Sequence, residues 1–441
     1  MARKIKARII IITAAVFSGL CFTVFIRTIF KLGNFHDLKI AEFFYLTGKL
    51  AGLTGFLFLA LLIFSGDTAR FFDRFFGLDK IIKFQRKFSV LNLIFILAHP
   101  LFFILAGLLS GQSVWPYIIP DFSVIPLVLG LMSLYIFIII LIASKLYKRI
   151  SYTIWQYLHI LTYLLFFFVF YHAFNLGSDL GNWLIRLIFF TLFLAVASGI
   201  IYRTNYKIKH RYAGKFYVQA VKQETTDVFT VRLKAEKKFL FKAGQFCFLR
   251  LTKNKLYARH PFTISSAPEQ AGLNFTAKLT GRFTKALSEL KTGEEIIIDG
   301  PYGIFTIEDC DKDLILIAGG VGITPFMSMI GDKLAANKTQ NIILLYGSKT
   351  KTDIIYKREL DSIQKTWFKK IYILSHDQTV SGTSEYETGY VDQKIIKKYV
   401  SNINNSLFYI CGPEPMKNSL KQILCRLGVK KRDIMVENFF W

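Results

Sequence analysis

The hydrophobic pattern divides the chain near residue 202. Before that point apolar residues form six near-continuous runs, Ile9–Phe30, Phe43–Phe64, Phe84–Leu108, Val124–Ala143, Tyr152–Phe174 and Trp183–Tyr202. Each is about long enough to cross a bilayer as a helix. From Tyr212 the apolar positions come in short alternating runs: Lys215–Val221, Val228–Leu233, Gln245–Leu251, Phe262–Ile264, Leu273–Lys278 and Glu295–Asp299. Gly, Pro and charged turns separate them, which predicts a small antiparallel barrel. From Asp313 the pattern becomes strand, glycine turn, helix, in LILIAGGVGITPFMSMI, IILLYGS, KIYILS and LFYICGPEP. Strands alternating with helical stretches predict a parallel α/β sheet. The expected fold is a multidomain membrane protein: a six-helix transmembrane domain over residues 1–211, an antiparallel β-barrel domain over 212–305 and an α/β domain over 306–441. The basic stretch Arg203–Arg211 is expected to connect the membrane and soluble halves.

Composition supports that division. Of 441 residues, 53% are hydrophobic, too many for an ordinary soluble enzyme. The net charge of +26 is read as membrane topology plus a basic surface facing anionic lipid. No arginine-rich tail or nucleic-acid motif accompanies it, so no nucleic-acid partner is expected. Lys and Arg concentrate before the first run, between the second and third, after the fourth and after the sixth. The positive-inside rule then puts the N-terminus and everything after Arg203 in the cytoplasm. The five cysteines, Cys21, Cys247, Cys310, Cys411 and Cys425, form no CxxC pair, so neither a disulfide framework nor a zinc site is expected. The opening MARKIKAR and its apolar run are read as a first span, since the run is too long for a signal peptide and no small-residue cleavage site follows.

Two histidines in the fifth run change the picture. His159 and His172 stand thirteen residues apart in SYTIWQYLHILTYLLFFFVFYHAF, a rise of about 20 Å in a helix, so they cannot serve one iron. A lone histidine in an apolar helix fits a hydrogen-bonded core group as well as a ligand. The third run supplies a counterpart, His99. Two spans with histidines at matching depth can hold a haem between them, one imidazole from each side. On the predicted topology His99 and His172 lie at the outer level, Gln85 and His159 at the inner. Thirteen steps of about 100° put His159 and His172 on different azimuths of a straight helix, so the spacing alone does not demand a stack of haems.

The soluble half carries an ordered set of short motifs: RHPFTISSAP at Arg259–Pro268, GRFT at Gly281–Thr284, GPYG at Gly300–Gly303, AGGVGITPF at Ala318–Phe326, YGSK at Tyr346–Lys349 and CGPEPM at Cys411–Met416. Together with six spans and histidines on the third and fifth, this set resembles the NADPH oxidase and ferric reductase family, whose dehydrogenase half is similar to ferredoxin–NADP reductases. The resemblance covers nearly the whole chain. It implies that 212–305 binds FAD and 306–441 binds NAD(P)H. Phe262 would lie against the isoalloxazine ring, Thr263 near the reactive flavin nitrogen and His260 at the pyrophosphate, within a flavin strand that also includes Pro261, Ser265 and Ser266. Gly281, Arg282, Phe283 and Thr284 would form a second FAD phosphate site at a helix start. Gly319, Gly320, Gly322, Thr324 and Pro325 would receive the nicotinamide cofactor, the glycines at its pyrophosphate and Thr324 donating to phosphate or to the nicotinamide side. Ser348 and Lys349 would read a 2′-phosphate, giving NADPH ahead of NADH. Cys411, with Gly412, would stand beside the hydride-transfer site; a buried strand-end thiol is the plainer reading. In the terminal VENFFW, Trp441 ahead of Phe439 would cover the flavin, unless the ending is only a terminal strand with a core aromatic.

One departure from the family pattern matters. Fourteen residues before His99 stands Gln85 where a histidine is usual. Three outcomes are open: Gln85 ligates weakly through its amide oxygen, the inner haem is five-coordinate on His159, or there is no inner haem. An inner haem on His159 is expected ahead of none, so one or two haem b groups are anticipated. The implied activity is electron transfer from cytosolic NAD(P)H through FAD and haem b to an acceptor beyond the plasma membrane, with O2 giving superoxide. A ferric or other metal chelate is the alternative acceptor. An electron-donor subunit for a partner protein or quinone is the alternative role.

Overall fold

The structure, a computed structural model, describes all residues except 1, 31–38, 147–148, 151, 212–214, 252–258, 308–310, 337–339, 378–384 and 438–441. It forms two compact units, residues 1–209 and 210–441.

The first unit is helical: α1 (Ala2–Phe30), α2 (Ile40–Asp67), α3 (Ala69–Phe76), α4 (Leu78–Leu109), α5 (Ile125–Lys145), α6 (Tyr152–Leu176) and α7 (Trp183–Arg211). Among the described residues, six of these are long and apolar enough to cross a membrane; α3, at eight residues, is not. Helix α2 is the most enclosed, burying Gly48, Ala51, Leu53, Gly55, Phe56 and Leu59. Where lipid is as apolar as any side chain, small residues let helices approach closely. A Cβ at Gly48 would stand 3.1 Å from the Phe103 ring, and one at Gly55 3.5 Å from Ile96. Helix α2 accordingly packs on α4, and α5 on α6. Phe56 stacks on Phe189 at 4.3 Å and on Phe166 at 5.4 Å between ring centres, tying α2 to α6 and α7. Helix α7 runs without interruption to Arg211. The stretch expected as a connector is therefore helical, because neither proline nor glycine follows Gly199 before Arg211 to break the helix.

The second unit contains two sheets. Strands β1 (Phe216–Gln223), β2 (Val228–Ala235), β3 (Phe246–Leu251), β4 (His260–Thr263), β5 (Leu273–Lys278) and β6 (Glu295–Tyr302) are antiparallel, in the order β4-β3-β6-β1-β2-β5, with α8 (Arg282–Ser288) after β5. A bridge from Ile264 to Phe275 brings the two edges together, and such closure into a barrel protects strand edges from pairing with other chains. The second sheet holds β7 (Asp313–Gly319), β8 (Ile342–Ser348), β9 (Phe368–Leu374), β10 (Tyr386–Thr388), β11 (Ser406–Cys411) and β12 (Ile434–Val436), all parallel, in the order β10-β9-β8-β7-β11-β12. Helices α9 (Thr324–Ala335), α10 (Lys357–Asp361), α11 (Gln393–Tyr399) and α12 (Glu414–Arg426) connect them. Strands β7, β8, β9 and β11 are nearly continuous Ile, Leu and aromatic runs because both faces of a parallel sheet are covered. The order reverses between β7 and β11, so the carboxyl ends of these two strands form a topological switch point, where open α/β sheets bind ligands.

Candidate functional sites

In the helical unit, a cavity of about 270 Å³ is lined by residues of α2, α4, α5 and α6, including Gly52, Phe56, Pro100, Leu131, Val169 and both His99 and His172. The two imidazoles face each other with ring centres 6.2 Å apart and planes at 84°. Two metal–imidazole bonds of about 2 Å each, plus the step from each nitrogen to its ring centre, give about the same separation. The Nδ1 of His99 lies 2.9 Å from the Gly48 carbonyl and that of His172 lies 2.9 Å from the Pro126 carbonyl. A carbonyl can only accept, so each Nδ1 carries the proton and each Nε2 keeps its lone pair for a metal. This is the outer hydrogen bond that ligating histidines typically make.

The two halves of this arrangement repeat. Four residues after Gly48 comes Gly52, and four residues after Pro126 comes Gly130. A Cβ at Gly52 would stand 2.6 Å from Nδ1 of His99, and one at Gly130 2.5 Å from Nδ1 of His172. Each histidine thus sits in a notch one helical turn beyond the carbonyl that orients it. The residues present fit an iron porphyrin held by His99 and His172.

The inner level is different. His159 is exposed on α6 and stacks on Trp155, ring centres 5.0 Å apart at 15°. Gln85 donates from Nε2 to Ser65 Oγ at 3.3 Å. The cavity around His99 and His172 includes neither residue. What lies on α6 one turn beyond His159 is polar. Tyr163 donates to Asp67 Oδ1 at 2.5 Å, and Arg203 bonds both Asp67 Oδ1 (2.9 Å) and the Tyr163 oxygen (2.8 Å). Asp67 is buried and its Oδ2 has no hydrogen-bond partner among the described residues. The sequence carries a signal for this cluster, an aspartate closing an apolar span.

In the antiparallel sheet, β4 begins at His260 and α8 begins at Arg282, and the two motifs meet. The rings of His260 and Phe283 lie 4.1 Å apart, and Phe262 stacks on Phe283 at 5.8 Å. Burial holds the pKa of His260 below its ordinary value, so the ring is a neutral donor and acceptor and not a cation. Arg282, next to Phe283 in the chain, is exposed. At the start of α8, Thr284 Oγ1 accepts from the Gly281 and Thr280 amides (3.1 and 3.0 Å) and donates to the Gly281 carbonyl (3.0 Å). Pro261 and Thr263 pair with Phe248 and Phe246 of β3. Ser265 and Ser266 are buried and engaged by protein. Ser265 donates to the Asn274 carbonyl at 3.0 Å, and Ser266 Oγ accepts from the Asn274 amide at 3.1 Å. The structure does not present these two hydroxyls at an open face.

At the switch point the two glycine motifs interlock. A Cβ on Gly322 would meet the Cys411 carbonyl at 2.3 Å; one on Gly319 would meet Met416 Sδ at 2.8 Å; one on Gly412 would stand 3.1 Å from the Gly319 amide. Only glycine allows strands β7 and β11 to end this close. Gly320 takes φ +52°, the left-handed region, which turns the chain toward α9. Thr324 and Pro325 form the first turn of α9, where a missing N–H costs nothing. The amides of that turn lie past the carboxyl end of β7, an arrangement suited to a phosphate. Cys411 is fully buried, and burial pushes its thiol well above the usual range, so it is neutral. Ser348 closes β8 and Lys349 follows it, exposed. Trp441 and Phe439 lie outside the described residues; Glu437 just before them bonds the Ile410 carbonyl through its amide at 3.0 Å.

Residues 316–422 match the oxidoreductase NAD-binding domain, residues 213–306 an FAD-binding domain, and residues 51–170 the ferric reductase like transmembrane component. The reductase subunit of glycine betaine monooxygenase from Chromohalobacter salexigens is 32% identical over 237 residues, 51% of this chain and 64% of its own length. One subunit of the Na(+)-translocating NADH-quinone reductase of Methylococcus capsulatus is 30% identical over 165 residues, 36% of this chain and 40% of its own length. The chain thus spans less than two thirds of these relatives. Among solved structures, the ferredoxin reductase in carbazole 1,9a-dioxygenase aligns with a TM-score of 0.45 and 24% identity, over 52% of this chain and 69% of that one.

Proposed function

We propose that this chain, a membrane oxidoreductase of the NADPH oxidase and ferric reductase family with a dehydrogenase half similar to ferredoxin–NADP reductases, passes electrons from NAD(P)H through FAD and haem b to an acceptor at the outer face. O2, giving superoxide, is the first acceptor to test and a ferric chelate the second. We assign residues 1–211 to the haem domain, 212–305 to the FAD domain and 306–441 to the NAD(P) domain. The dehydrogenase half is assigned to the cytoplasm and the helices to the plasma membrane, on the distribution of Lys and Arg.

The observation that carries this reading is the pair of imidazoles 6.2 Å apart, each oriented by a carbonyl and seated in a glycine notch. FAD, when bound, converts a hydride pair into single electrons, and haem, when bound, carries them one at a time. The chain's own residues hold and orient. His99 and His172 would hold the haem iron through Nε2, and the Gly48 and Pro126 carbonyls fix their tautomers. Leu53, Phe56, Leu131 and Val169 line the cavity with apolar side chains. His260, Phe262, Phe283 and the start of α8 would hold FAD, with Pro261 and Thr263 shaping the strand. Gly319, Gly320, Gly322, Thr324 and Pro325 would hold the dinucleotide pyrophosphate. Ser348 and Lys349 would favour NADPH. Cys411 and Gly412 would border the nicotinamide, and Trp441 would cover the flavin. Ser265 and Ser266 support the strand from behind. An inner haem would rest on His159 alone, because Gln85 is held by Ser65.

The test is anaerobic reduction of the purified full chain by NADPH, followed by admission of O2 or ferric citrate. Reduction of a haem absorbance band, reversed by the acceptor, supports the reading. Flavin reduction without any haem response overturns the membrane half of it. The relatives named as reductase subunits favour the donor role. A cognate partner that oxidises the reduced chain faster than either acceptor would establish it.

A further inference from the structure

Among the described residues, Tyr356 is the one non-glycine residue with positive φ (60°, ψ 25°). A tyrosine adopts this left-handed conformation only where its surroundings over-determine it, and such residues cluster at functional sites. Tyr356 sits on the turn before α10 in the parallel-sheet domain, yet its buried side chain enters the antiparallel sheet. There its hydroxyl donates to Ser265 Oγ at 3.0 Å, contacts Thr276 Oγ1 and lies 3.3 Å from Thr230 Oγ1. Thr230 and Thr276 bond each other at 2.8 Å across β2 and β5. Ser265 follows two residues after Thr263, the end of β4.

The other side of the same turn reaches the dinucleotide loop. The Ile355 amide donates to the Tyr346 hydroxyl at 3.2 Å, and that hydroxyl donates to the Gly320 carbonyl at 3.1 Å. Tyr346 is fully buried, near the end of β8. A continuous hydrogen-bonded chain therefore runs from Gly320 through Tyr346 and the Ile355–Tyr356 turn to Ser265 and Thr276. A second, shorter tie lies beside it, where Ser328 of α9 donates to the Ser266 carbonyl at 2.6 Å. Burial raises the pKa of both phenols, so each remains a donor across the working range.

We infer that Tyr356 and Tyr346 are positioning residues for hydride transfer: they lock the dinucleotide loop to the end of the flavin strand and so fix the approach of nicotinamide to flavin. Neither touches the reacting atoms. The inference rests on the reading that FAD lies along His260–Thr263 and the dinucleotide at Gly319–Thr324. The left-handed turn then has a reason: it carries the Tyr356 hydroxyl at Ser265 and the Ile355 amide at Tyr346 together.

The test uses the full chain in detergent, loaded with FAD and mixed anaerobically with NADPH in a stopped-flow spectrometer. Tyr356→Phe keeps the ring and removes the hydroxyl, and Thr230, Thr276 and Ser265 retain one another and Asn274 as partners. It should keep its FAD and its half-saturating NADPH concentration. The rate of flavin reduction at saturating NADPH should fall about tenfold, the scale expected when reacting groups are misplaced by a fraction of an ångström. The long-wavelength charge-transfer absorbance of the nicotinamide–flavin complex should weaken in parallel. Thr276→Val removes one of the three partners of that hydroxyl and should show a smaller loss in the same direction, and the double variant no more than Tyr356→Phe alone, since Thr276 acts through the Tyr356 hydroxyl. A merely structural role would lower thermal stability and leave rate and charge-transfer band unchanged; that result overturns the inference. Should Tyr356→Phe fail to fold, Thr276→Val carries the same test alone. If the wild-type chain itself does not reduce its flavin with NADPH or NADH, the functional reading fails instead, so the two failures are distinguishable.

Discussion

The glycines facing the histidines make the sharpest statement at the scale of single residues. Gly52→Ala and Gly130→Ala would each place a methyl group within 2.6 Å of an imidazole nitrogen. A contact that short forces the ring to move, and with it the Nε2 lone pair. Disturbing the shell around a metal-bound histidine typically weakens binding by about 10–100-fold. Both variants should therefore lose haem absorbance while keeping FAD and the yellow flavin spectrum. Unchanged haem content would show that the notches are ordinary helix packing. His260 makes a second statement. Its folded pKa is lowered by burial, so the unfolded chain binds the extra proton more readily. The stability that neutral His260 contributes is complete above the ordinary histidine value of about 6.5 and is lost as pH falls from there toward the lower folded value. The melting temperature of the dehydrogenase half should fall on acidification through that window, and His260→Gln should flatten the fall.

Helices and strands show what the sequence could and could not disclose. Apolar run length places all six spans on observed helices, because length and hydropathy are local properties; α2, α5 and α6 agree within three residues at each end, while α1, α4 and α7 extend six to nine residues further at one end. The strand–glycine–helix pattern at Gly319 and the CGP motif at Cys411 point to one site, and the sheet order puts both at one switch point. Helix α7 continues through Arg211 because no breaker intervenes, a local signal that its connector-like charge pattern masks. Two features depend on tertiary contact and are not legible in the sequence. His159 and His172 share a helix but not an environment: one faces outward beside Trp155 and the other lines a cavity. Their thirteen-residue spacing allows that outcome without deciding it. The left-handed turn at Tyr356 carries no local signature at all, since nothing in IIYKRE demands a left-handed residue. The polar cluster of Asp67, Tyr163 and Arg203 joins α2, α6 and α7. Asp67→Ala would leave Arg203 with one partner fewer, at a cost of roughly 1–3 kcal/mol. The lower end is expected, since the Arg203 side chain is 39% exposed. A thermal-shift measurement in detergent should show the loss, with haem content preserved.

At the scale of the whole molecule, a membrane domain that we propose to hold haem iron shares one chain with FAD- and NAD-binding domains. Each half has close contacts that only glycine allows, and the transmembrane, FAD-binding and NAD-binding matches all fall on this one chain. The direct measurement of that claim is the molar ratio of haem b to FAD in the purified full chain, compared with His99→Ala and His172→Ala. At least one haem per flavin is expected in the wild type, with a ratio approaching two if His159 holds a second, and both variants should lose the outer haem while retaining flavin. A wild-type protein that is yellow and shows no haem absorbance would contradict the claim.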